Sequence, residues 1–314
     1  DTARHGLVRR ELRRRPTEGE EAFSLCVTGA WRPGVRVGAI VRRMNPLLEL
    51  AVEAARAAGA KLAALYETGL EPETKSSDID LVTEADRAAE AIVVERLRAA
   101  RPDIAVLAEE SGAREGTSGS RWLVDPLDGT TNFAHGFPHF SVSIALVDET
   151  DAHALDERVR VGVVHDPLRD ETFLAAAGEG AWLLSPRHPA PGRRLQVTAV
   201  ERLGESMLAT GFGYDRATAQ RNNLPEFDRL IRRVRGIRRA GSAALDLAYV
   251  AAGRLDGYWE YGLAPWDWGA GAVLVREAGG SATTVDGAPW SPGDDSMIAA
   301  GPRLLPELSE ALRA

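Results

Sequence analysis

Four short acidic segments hold the residues of this sequence that can do chemistry. They read DIDLVTEAD (78–86), AEES (108–111), DPLDGTTN (125–132) and PWDWGAG (265–271). In layered α/β folds, carboxylates that follow neighbouring strands converge in one crevice. Such carboxylates repel one another, so a cation is needed to keep them ionised. Because the segments offer oxygen donors and no Cys or His, they predict Mg²⁺, with Mn²⁺ as a substitute, and hydrolysis of a phosphate ester.

The segment DPLDGTTN has the composition of a tight turn, since it combines proline with an Asp-Gly pair. Gly129 permits a sharp turn and offers an unshielded N–H group, and Thr130 and Thr131 stand where a helix can begin and point N–H groups at an anion. Two metal ions about 4 Å apart can clamp the attacking water and the leaving oxygen. The segment is therefore predicted to be both a turn and the floor of an active site.

Each acidic segment also has a purely structural explanation. Thr83 and Asp86 have the spacing of a capping box, and Asp267 precedes a predicted helix as an N-cap does. Glu109 and Glu110 alone are typical of a solvated pair. Only the occurrence of all four segments in one chain favours chemistry. Packing or ordinary surface roles are predicted for the nearby rings of His135, His139, His165, Trp266 and Trp268.

Helices and strands interleave around these segments. Asn45 and Pro46 are predicted to start a helix that runs to Leu65, because apolar residues recur at helical spacing. Further helices are predicted at 83–100, 242–252 and 267–278. The stretch 185–194 is predicted to be an enlarged hairpin loop. Strands are predicted at 104–107, 122–124, 140–147, 159–164, 172–174, 181–184, 256–260 and 281–285, so the class is mixed α and β in layers.

Charge divides the chain into two parts. Residues 1–43 contain ten Arg against five Asp plus Glu, so this segment carries about +5 of a total of −8, and the remainder carries about −13. We interpret residues 1–43 as a disordered or non-native extension, with an Arg-rich transit peptide as the alternative. Residues 44–314 are predicted to form a single catalytic domain.

Composition excludes several classes of protein. The net charge of −8 argues against a nucleic-acid binder, and no apolar run approaches the roughly 20 residues of a membrane helix. The single cysteine, Cys26, cannot form an intrachain disulfide or a zinc cluster of Cys ligands. A reducing cytoplasm is the expected location.

Two long segments resemble the signatures of the inositol monophosphatase family. They are WLVDPLDGTTNFAHGFPHFSVSIAL (122–146) and PWDWGAGAVLVREAGG (265–280). KSSDIDLVTEAD resembles the family's lysine-led segment, EES resembles its glutamate motif, and RRAGSAALDLAYVAAGRLDGYWE is similar to the bacterial branch. The resemblance covers residues 44–314. It implies an α-β-α-β-α sandwich of the sugar-phosphatase type, a homodimer, and lithium-sensitive, Mg²⁺-dependent hydrolysis of inositol 1-phosphate by direct attack of water.

The resemblance also implies roles for individual residues. Asp86 with Thr130 would orient the attacking water, and a third, weaker ion would lean on Glu110. Lys75 and Asp80 would support the metal site and its closure. Two or three ions would be held by Glu110, Asp125, the Leu127 carbonyl, Asp128 and Asp267. Phosphate and the substrate hydroxyls would meet Asp128, Gly129, Thr130, Gly241, Ser242, Ala243, Glu260 and Asp267.

Two alternatives remain open. The same chemistry can act on fructose 1,6-bisphosphate, a nucleotide 3′-phosphate or histidinol phosphate, although Thr131 stands where the histidinol-phosphatase motif often has lysine. A protein of another class, a binding partner of the transcription apparatus, would use Arg238 and Arg239 or the basic N-terminal segment as its contact surface.

Overall fold

A computed structural model describes residues 45–66, 73–74, 81–82, 84–150, 158–288 and 296–313. The predicted helix start at Asn45 is confirmed, because the Asn45 side chain accepts a hydrogen bond of 2.9 Å from the N–H of Leu47. The predictions for residues 1–43, Thr83, Lys75 and Asp80 lie outside the described residues.

Seven helices are described in these ranges. Three of the four predicted helices begin within two residues of the expected position, and α5 begins directly after its N-cap, Ser242. The fourth helix, predicted to start at Thr83, is described from Glu84, and Thr83 itself is not described. The helices are α1 (Pro46–Leu65), α2 (Glu84–Ala100), α3 (Thr130–Ala134), α4 (Leu224–Ile231), α5 (Ala243–Ala251), α6 (Pro265–Glu277) and α7 (Leu305–Arg313).

Fifteen strands are described, and every predicted strand is among them. They are β1 (Glu73–Thr74), β2 (Leu81–Val82), β3 (Ala105–Ala108), β4 (Gly112–Arg114), β5 (Ser120–Asp128), β6 (Ser141–Asp148), β7 (Val159–Asp166), β8 (Glu171–Ala176), β9 (Gly180–Ser185), β10 (His188–Arg194), β11 (Met207–Thr210), β12 (Gly236–Arg238), β13 (Gly257–Tyr261), β14 (Ser281–Thr283) and β15 (Ser296–Ala300).

The strands form two large sheets and one short pair, β1 with β2. The first large sheet has the order β10-β9-β8-β7-β6-β5-β3-β4, in which only β3 and β5 are parallel. The second has the order β12-β11-β13-β15-β14, in which β11 runs parallel to both of its neighbours. Two of the four acidic segments, 108–111 and 125–132, lie at the ends of β3 and β5, the two parallel strands of the larger sheet.

Three apolar clusters hold five layers together. The first joins α1 and α2 to one face of the eight-stranded sheet, and the second packs α5 and α6 between the two sheets. The third joins α4 and α7 to the outer face of the five-stranded sheet. This order confirms the predicted α-β-α-β-α sandwich. Trp122, Trp259 and Trp268 are fully buried in these clusters, and this confirms the packing role predicted for Trp268.

The predicted loop at 185–194 is wrong, because residues 188–194 form β10 at the edge of the larger sheet. The strand pairs antiparallel with β9, and its register shifts between His188 and Arg193. Both prolines of the stretch 188–194 lie in that bulge, where no ladder N–H is required. A proline-rich composition therefore concealed an edge strand.

No helix in the described part of the chain combines the length and the apolar character that crossing a bilayer requires.

Candidate active site

The alternation of side chains along β3 and β5 decides which carboxylates meet. The pairing of the two strands continues past β3, because the N–H of Glu109 donates to the Val124 carbonyl at 3.1 Å. Leu107 and Leu123 both pack toward the layer of α5 and α6. Successive strand residues point to opposite faces, so Glu109 and Asp125 follow Leu107 and Leu123 toward that same layer.

This alternation corrects the prediction for Glu110. Its position matches that of Ala108, which packs toward α1 and α2. Accordingly, Glu110 lines a surface cavity of about 620 Å³ beside α2, together with Glu90 and Arg114. Glu109, one residue earlier, is therefore the glutamate that faces Asp125, and sequence reasoning missed it because both residues of an EES motif look equivalent.

Negative charge accumulates around Asp125. Burial raises the pKa of Asp125 well above its ordinary value, and the charge of Glu109 raises it further, ahead of Asp128, Asp267 and Asp86. Burial likewise raises the pKa of Asp267, with Glu109 as its strongest charged neighbour. The structure thus brings together carboxylates from all four acidic segments.

The irregular end of β5, where the register shifts between Asp125 and Asp128, joins Asp125 to the predicted catalytic pair. Asp125 Oδ1 accepts a hydrogen bond of 3.0 Å from the N–H of Leu127. The Thr130 hydroxyl lies 3.0 Å from the Leu127 carbonyl oxygen and 3.1 Å from Asp86 Oδ1. Asp86 is completely buried on the first turn of α2. Asp86 and Thr130 therefore meet, and Leu127 contacts Asp125 through its N–H group and Thr130 through its carbonyl.

Gly129 is required by its surroundings as well as by its backbone. Its φ of +98° lies in the left-handed region, and a Cβ atom would stand 3.0 Å from the His139 carbonyl and 3.2 Å from that of Gly241. The Asn132 side chain donates to the carbonyls of His139 and Ala240 at 2.7 and 2.8 Å. These contacts fasten the start of α3 to the loop that leads into α5.

The carboxylate of Asp128, at the end of β5, contacts the N-terminus of α5. The 241–243 loop that leads into this helix was predicted to meet substrate. Asp128 accepts hydrogen bonds from the Ser242 hydroxyl at 2.5 Å, the Ala244 N–H at 2.8 Å and the Ala243 N–H at 3.3 Å. Burial raises the pKa of Asp128 to about 6 although these donors oppose the shift. The Asp128 carboxylate and the 241–243 loop are thereby locked together.

Asp267, the predicted N-cap, occupies the third position of α6, because the helix begins two residues earlier at Pro265 and its N-cap is Ala264. The Oδ2 atom of Asp267 accepts a hydrogen bond of 2.7 Å from the N–H of Ala264, the residue before the helix. The predicted N-cap role is therefore wrong, and Asp267 instead caps the helix from its third position by accepting from the N-cap backbone. This capping role does not exclude a role in chemistry, since Glu109 and Asp128 raise the pKa of the same carboxyl.

Glu260 lies in a buried polar pocket that sequence reasoning identified only in part. Its Oε2 accepts a hydrogen bond of 2.6 Å from the Tyr258 hydroxyl, and burial raises its pKa to about 7. Gly211 leaves the space that this carboxylate occupies, because a Cβ there would overlap the Glu260 oxygens. Burial also raises the pKa of Asp246 well above its ordinary value, and the negative charges of Glu260 and Asp128 raise it further. The spacing of Tyr258 and Glu260, two residues apart on β13, is the signal that could have revealed the pair.

The donor set fits a hard divalent cation. Within the ranges that the structure describes, no three His, Cys, Asp or Glu side chains are arranged so that they could hold a metal ion. Instead, backbone N–H groups hold the carboxylates of Asp125, Asp128 and Asp267 individually. Burial raises the pKa values of all three carboxyls, and neighbouring carboxylates raise those of Asp125 and Asp267 further. A cation would offset that negative charge, and oxygen donors suit Mg²⁺ or Mn²⁺.

Comparisons with known proteins agree with this geometry. A model of the inositol monophosphatase family matches residues 43–314. The inositol-1-monophosphatase of Synechocystis sp. is 46% identical over 268 residues, 85% of this chain and 88% of that protein. The Nus factor SuhB of Escherichia coli K12 is 42% identical over 281 residues, 86% of this chain and 100% of that protein. Among solved structures, the extragenic suppressor protein SuhB of Bartonella henselae matches with a TM-score of 0.77 at 39% identity, covering 86% of this chain and 99% of that one.

Proposed function

The chain belongs to the inositol monophosphatase family, and we propose that this phosphatase hydrolyses inositol 1-phosphate to inositol and phosphate in a Mg²⁺-dependent reaction. One observation carries the proposal: Glu109 and Asp125 face one point beside the buried pair of Asp86 and Thr130. Carboxylates so crowded serve a phosphatase as cation ligands.

Two or three ions would be held by Glu109, Asp125, the Leu127 carbonyl, Asp128 and Asp267. When bound, Mg²⁺ supplies positive charge to the phosphoryl oxygens and lowers the pKa of water. Glu109 replaces Glu110 in this set because Glu109 faces the side of the sheet on which Asp125 lies, and Glu110 faces α1 and α2. Mn²⁺ is expected to substitute, since it accepts the same oxygen ligands.

Asp86 and Thr130 orient the attacking water. The Thr130 hydroxyl donates toward Asp86, so the Thr130 oxygen is left to accept a hydrogen bond from water. A water proton passes to Asp86 as the water oxygen forms the new bond to phosphorus. The phosphorus–oxygen bond to inositol breaks, and the departing oxygen takes up a proton from solvent water to leave as the inositol hydroxyl. No phosphoenzyme forms, because the pair acts on water and not on phosphorus.

The N–H groups of Gly129 and Thr130 hold the phosphate at the start of α3, where no side chain shields Gly129. The inositol hydroxyls meet Asp128, Glu260, Asp267 and the 241–243 loop. Glu260 favours a polyol because a buried carboxylate, already oriented by Tyr258, accepts hydrogen bonds from hydroxyl groups. The name of the Synechocystis relative supports the same substrate.

A panel of phosphate esters tests the proposal. Inositol 1-phosphate, fructose 1,6-bisphosphate, a nucleotide 3′-phosphate and histidinol phosphate are compared by kcat/KM, with and without Mg²⁺ and with added Li⁺. We expect inositol 1-phosphate to have the highest kcat/KM, with activity that needs Mg²⁺ and falls with Li⁺. The Asp125→Asn variant, checked for folding by circular dichroism, should lose activity toward every ester. A higher kcat/KM for another ester rejects the inositol assignment, and normal turnover by Asp125→Asn rejects the site.

A second candidate is binding to the transcription apparatus. It is favoured by the 42% identity to a Nus factor and by the exposed side chains of Arg238 and Arg239. Pull-down with RNA polymerase tests it, with charge reversal of both arginines as the variant. If the wild-type protein has no phosphatase activity and Asp125→Asn still binds RNA polymerase, binding to the transcription apparatus is the function.

We also propose that the protein acts as a homodimer in the cytoplasm. Light scattering coupled to size exclusion tests the dimer, and a single monomeric mass would contradict it.

A further inference from the structure

The turn after β3 is clamped from both sides. On one side, the N–H of Glu109 donates to Val124 of β5 at 3.1 Å. On the other, the N–H groups of Glu110 and Ser111 donate to the carboxylate of Glu90 at 2.8 and 2.9 Å. Each carboxylate oxygen of Glu90 accepts one of these hydrogen bonds, so the carboxylate binds two successive peptide N–H groups.

Glu90 is a buried carboxylate that the proposed chemistry does not use. Only 5% of its surface is exposed. A carboxylate buried at this depth is costly unless hydrogen bonds to charged oxygens compensate, and the two backbone donors supply that compensation. Its position is therefore tied to that of the turn.

Glu90 also shares a helix face with the proposed catalytic carboxylate. Asp86 and Glu90 are four residues apart on α2, which puts them on the same side one turn from each other. Both are buried. The helix thus presents Asp86 to Thr130 and Glu90 to the turn that carries Glu109, so that one rigid element sets the spacing of both.

We propose that Glu90 is a positioning residue, which grips the turn through Glu110 and Ser111 and so holds the Glu109 carboxylate toward Asp125 and Asp267 for divalent cation binding. The inference rests on the proposed function, because it gives Glu90 a role only if the carboxylates bind a cation. Partners that orient a ligand from behind commonly matter to metal affinity nearly as much as the ligand itself.

Calorimetric titration of Mg²⁺ into the full, metal-free chain tests the role of Glu90. Glu90→Gln keeps the volume but leaves one acceptor for two N–H donors, so one of the two bonds is lost. We expect Mg²⁺ binding to weaken about 10- to 100-fold. The half-saturating Mg²⁺ concentration in the phosphatase assay should rise in parallel, while kcat at saturating Mg²⁺ stays within about threefold. If Glu90→Gln does not fold, Glu90→Asp, with the shorter reach, is titrated in its place.

Glu95→Gln is the matched control, since it makes the same change of charge on the same helix at an exposed position. Its Mg²⁺ affinity should equal that of the wild type. If Glu90→Gln and Glu95→Gln lose the same amount of Mg²⁺ affinity, the effect comes from the charge of the helix, and the inference is overturned. A merely structural Glu90 would lower the metal-free unfolding temperature without changing Mg²⁺ affinity, and that result also overturns it. Wild-type protein that binds no Mg²⁺ would instead overturn the proposed function itself.

Discussion

Thr130 and Asp86 are in hydrogen-bond contact in the candidate active site although 44 positions separate them in the chain. The Thr130 hydroxyl oxygen lies 3.1 Å from Asp86 Oδ1 and 3.0 Å from the Leu127 carbonyl, and the Thr130 and Asp86 side chains are both buried. The contact joins the start of α2 to the start of α3. It makes α2 a part of the candidate site and not only a cover for the sheet.

The first prediction concerns this pair. Asp86→Asn keeps an oxygen that can accept from Thr130 but removes the charge that takes the proton, so kcat should fall about 10²- to 10⁴-fold. Thr130→Ser, which keeps the hydroxyl, is the matched variant and should lose about tenfold or less. Steady-state kinetics with inositol 1-phosphate measures both. Asp86→Asn activity within a factor of five of the wild type would contradict the role.

The second prediction separates two adjacent glutamates. Glu109→Gln should abolish Mg²⁺-dependent phosphate release, because the side chain that faces Asp125 loses its charge. Glu110→Gln, one residue away and on the opposite side of the sheet, should retain activity within about threefold. Phosphate release at several Mg²⁺ concentrations measures the difference. The reverse order of effects would restore Glu110 as the ligand.

The third prediction concerns the space that Gly211 leaves for Glu260. In Gly211→Ala the new methyl group would displace the Glu260 carboxylate. KM for inositol 1-phosphate should rise about tenfold, while the Mg²⁺ requirement stays unchanged, because no proposed ligand moves. Gly204→Ala is the control, since the nearest atom to its new methyl group lies 3.9 Å away. A rise in the Mg²⁺ requirement of Gly211→Ala would mean that the metal site had moved as well.

The fourth prediction concerns pH and stability. Burial raises the pKa of Glu260 from 4.5 to about 7, so its contribution to stability is complete below pH 4.5 and is lost as the pH rises to about 7. Glu260→Gln cannot ionise and escapes this loss. The free energy of unfolding of the variant, relative to the wild type, should therefore increase by about 3 kcal/mol over that range.

Urea unfolding at pH 4.5, 5.5, 6.5 and 7.5, without divalent cations, measures this difference. The same titration of Glu95→Gln, whose carboxyl is exposed, should leave the difference from the wild type constant. A Glu260→Gln difference that does not change with pH would show that Glu260 titrates normally in the folded protein.

The sequence was sufficient wherever the signal is local. Asn45 and Ser242 were recognisable as helix starts because a capping side chain bonds to N–H groups within three residues. The turn predicted at 125–132 is correct only at Gly129, because residues 125–128 end β5 with a register shift and Thr130 begins α3. The strands of the larger sheet were predicted, with the exception of β4 and β10, because their apolar runs face packed layers on both sides.

Short elements with distant partners were not predicted. β11, β12 and β15 have three to five residues each, and their partners come from other parts of the chain. Such strands form because the five-stranded sheet supplies hydrogen-bond partners and the layers around it bury their side chains. Local propensity alone cannot indicate them.

By itself, the sequence determined which four acidic segments supply the carboxylates of the candidate site, their order along the chain, and the family. Only the tertiary structure decided between Glu109 and Glu110, because the side of a sheet that a residue faces depends on register and not on residue type. The same holds for Glu90, Tyr258 and Gly211, whose partners lie across the fold. Residue types therefore specify the chemistry that is available, and the packing of strands and helices selects the atoms that meet.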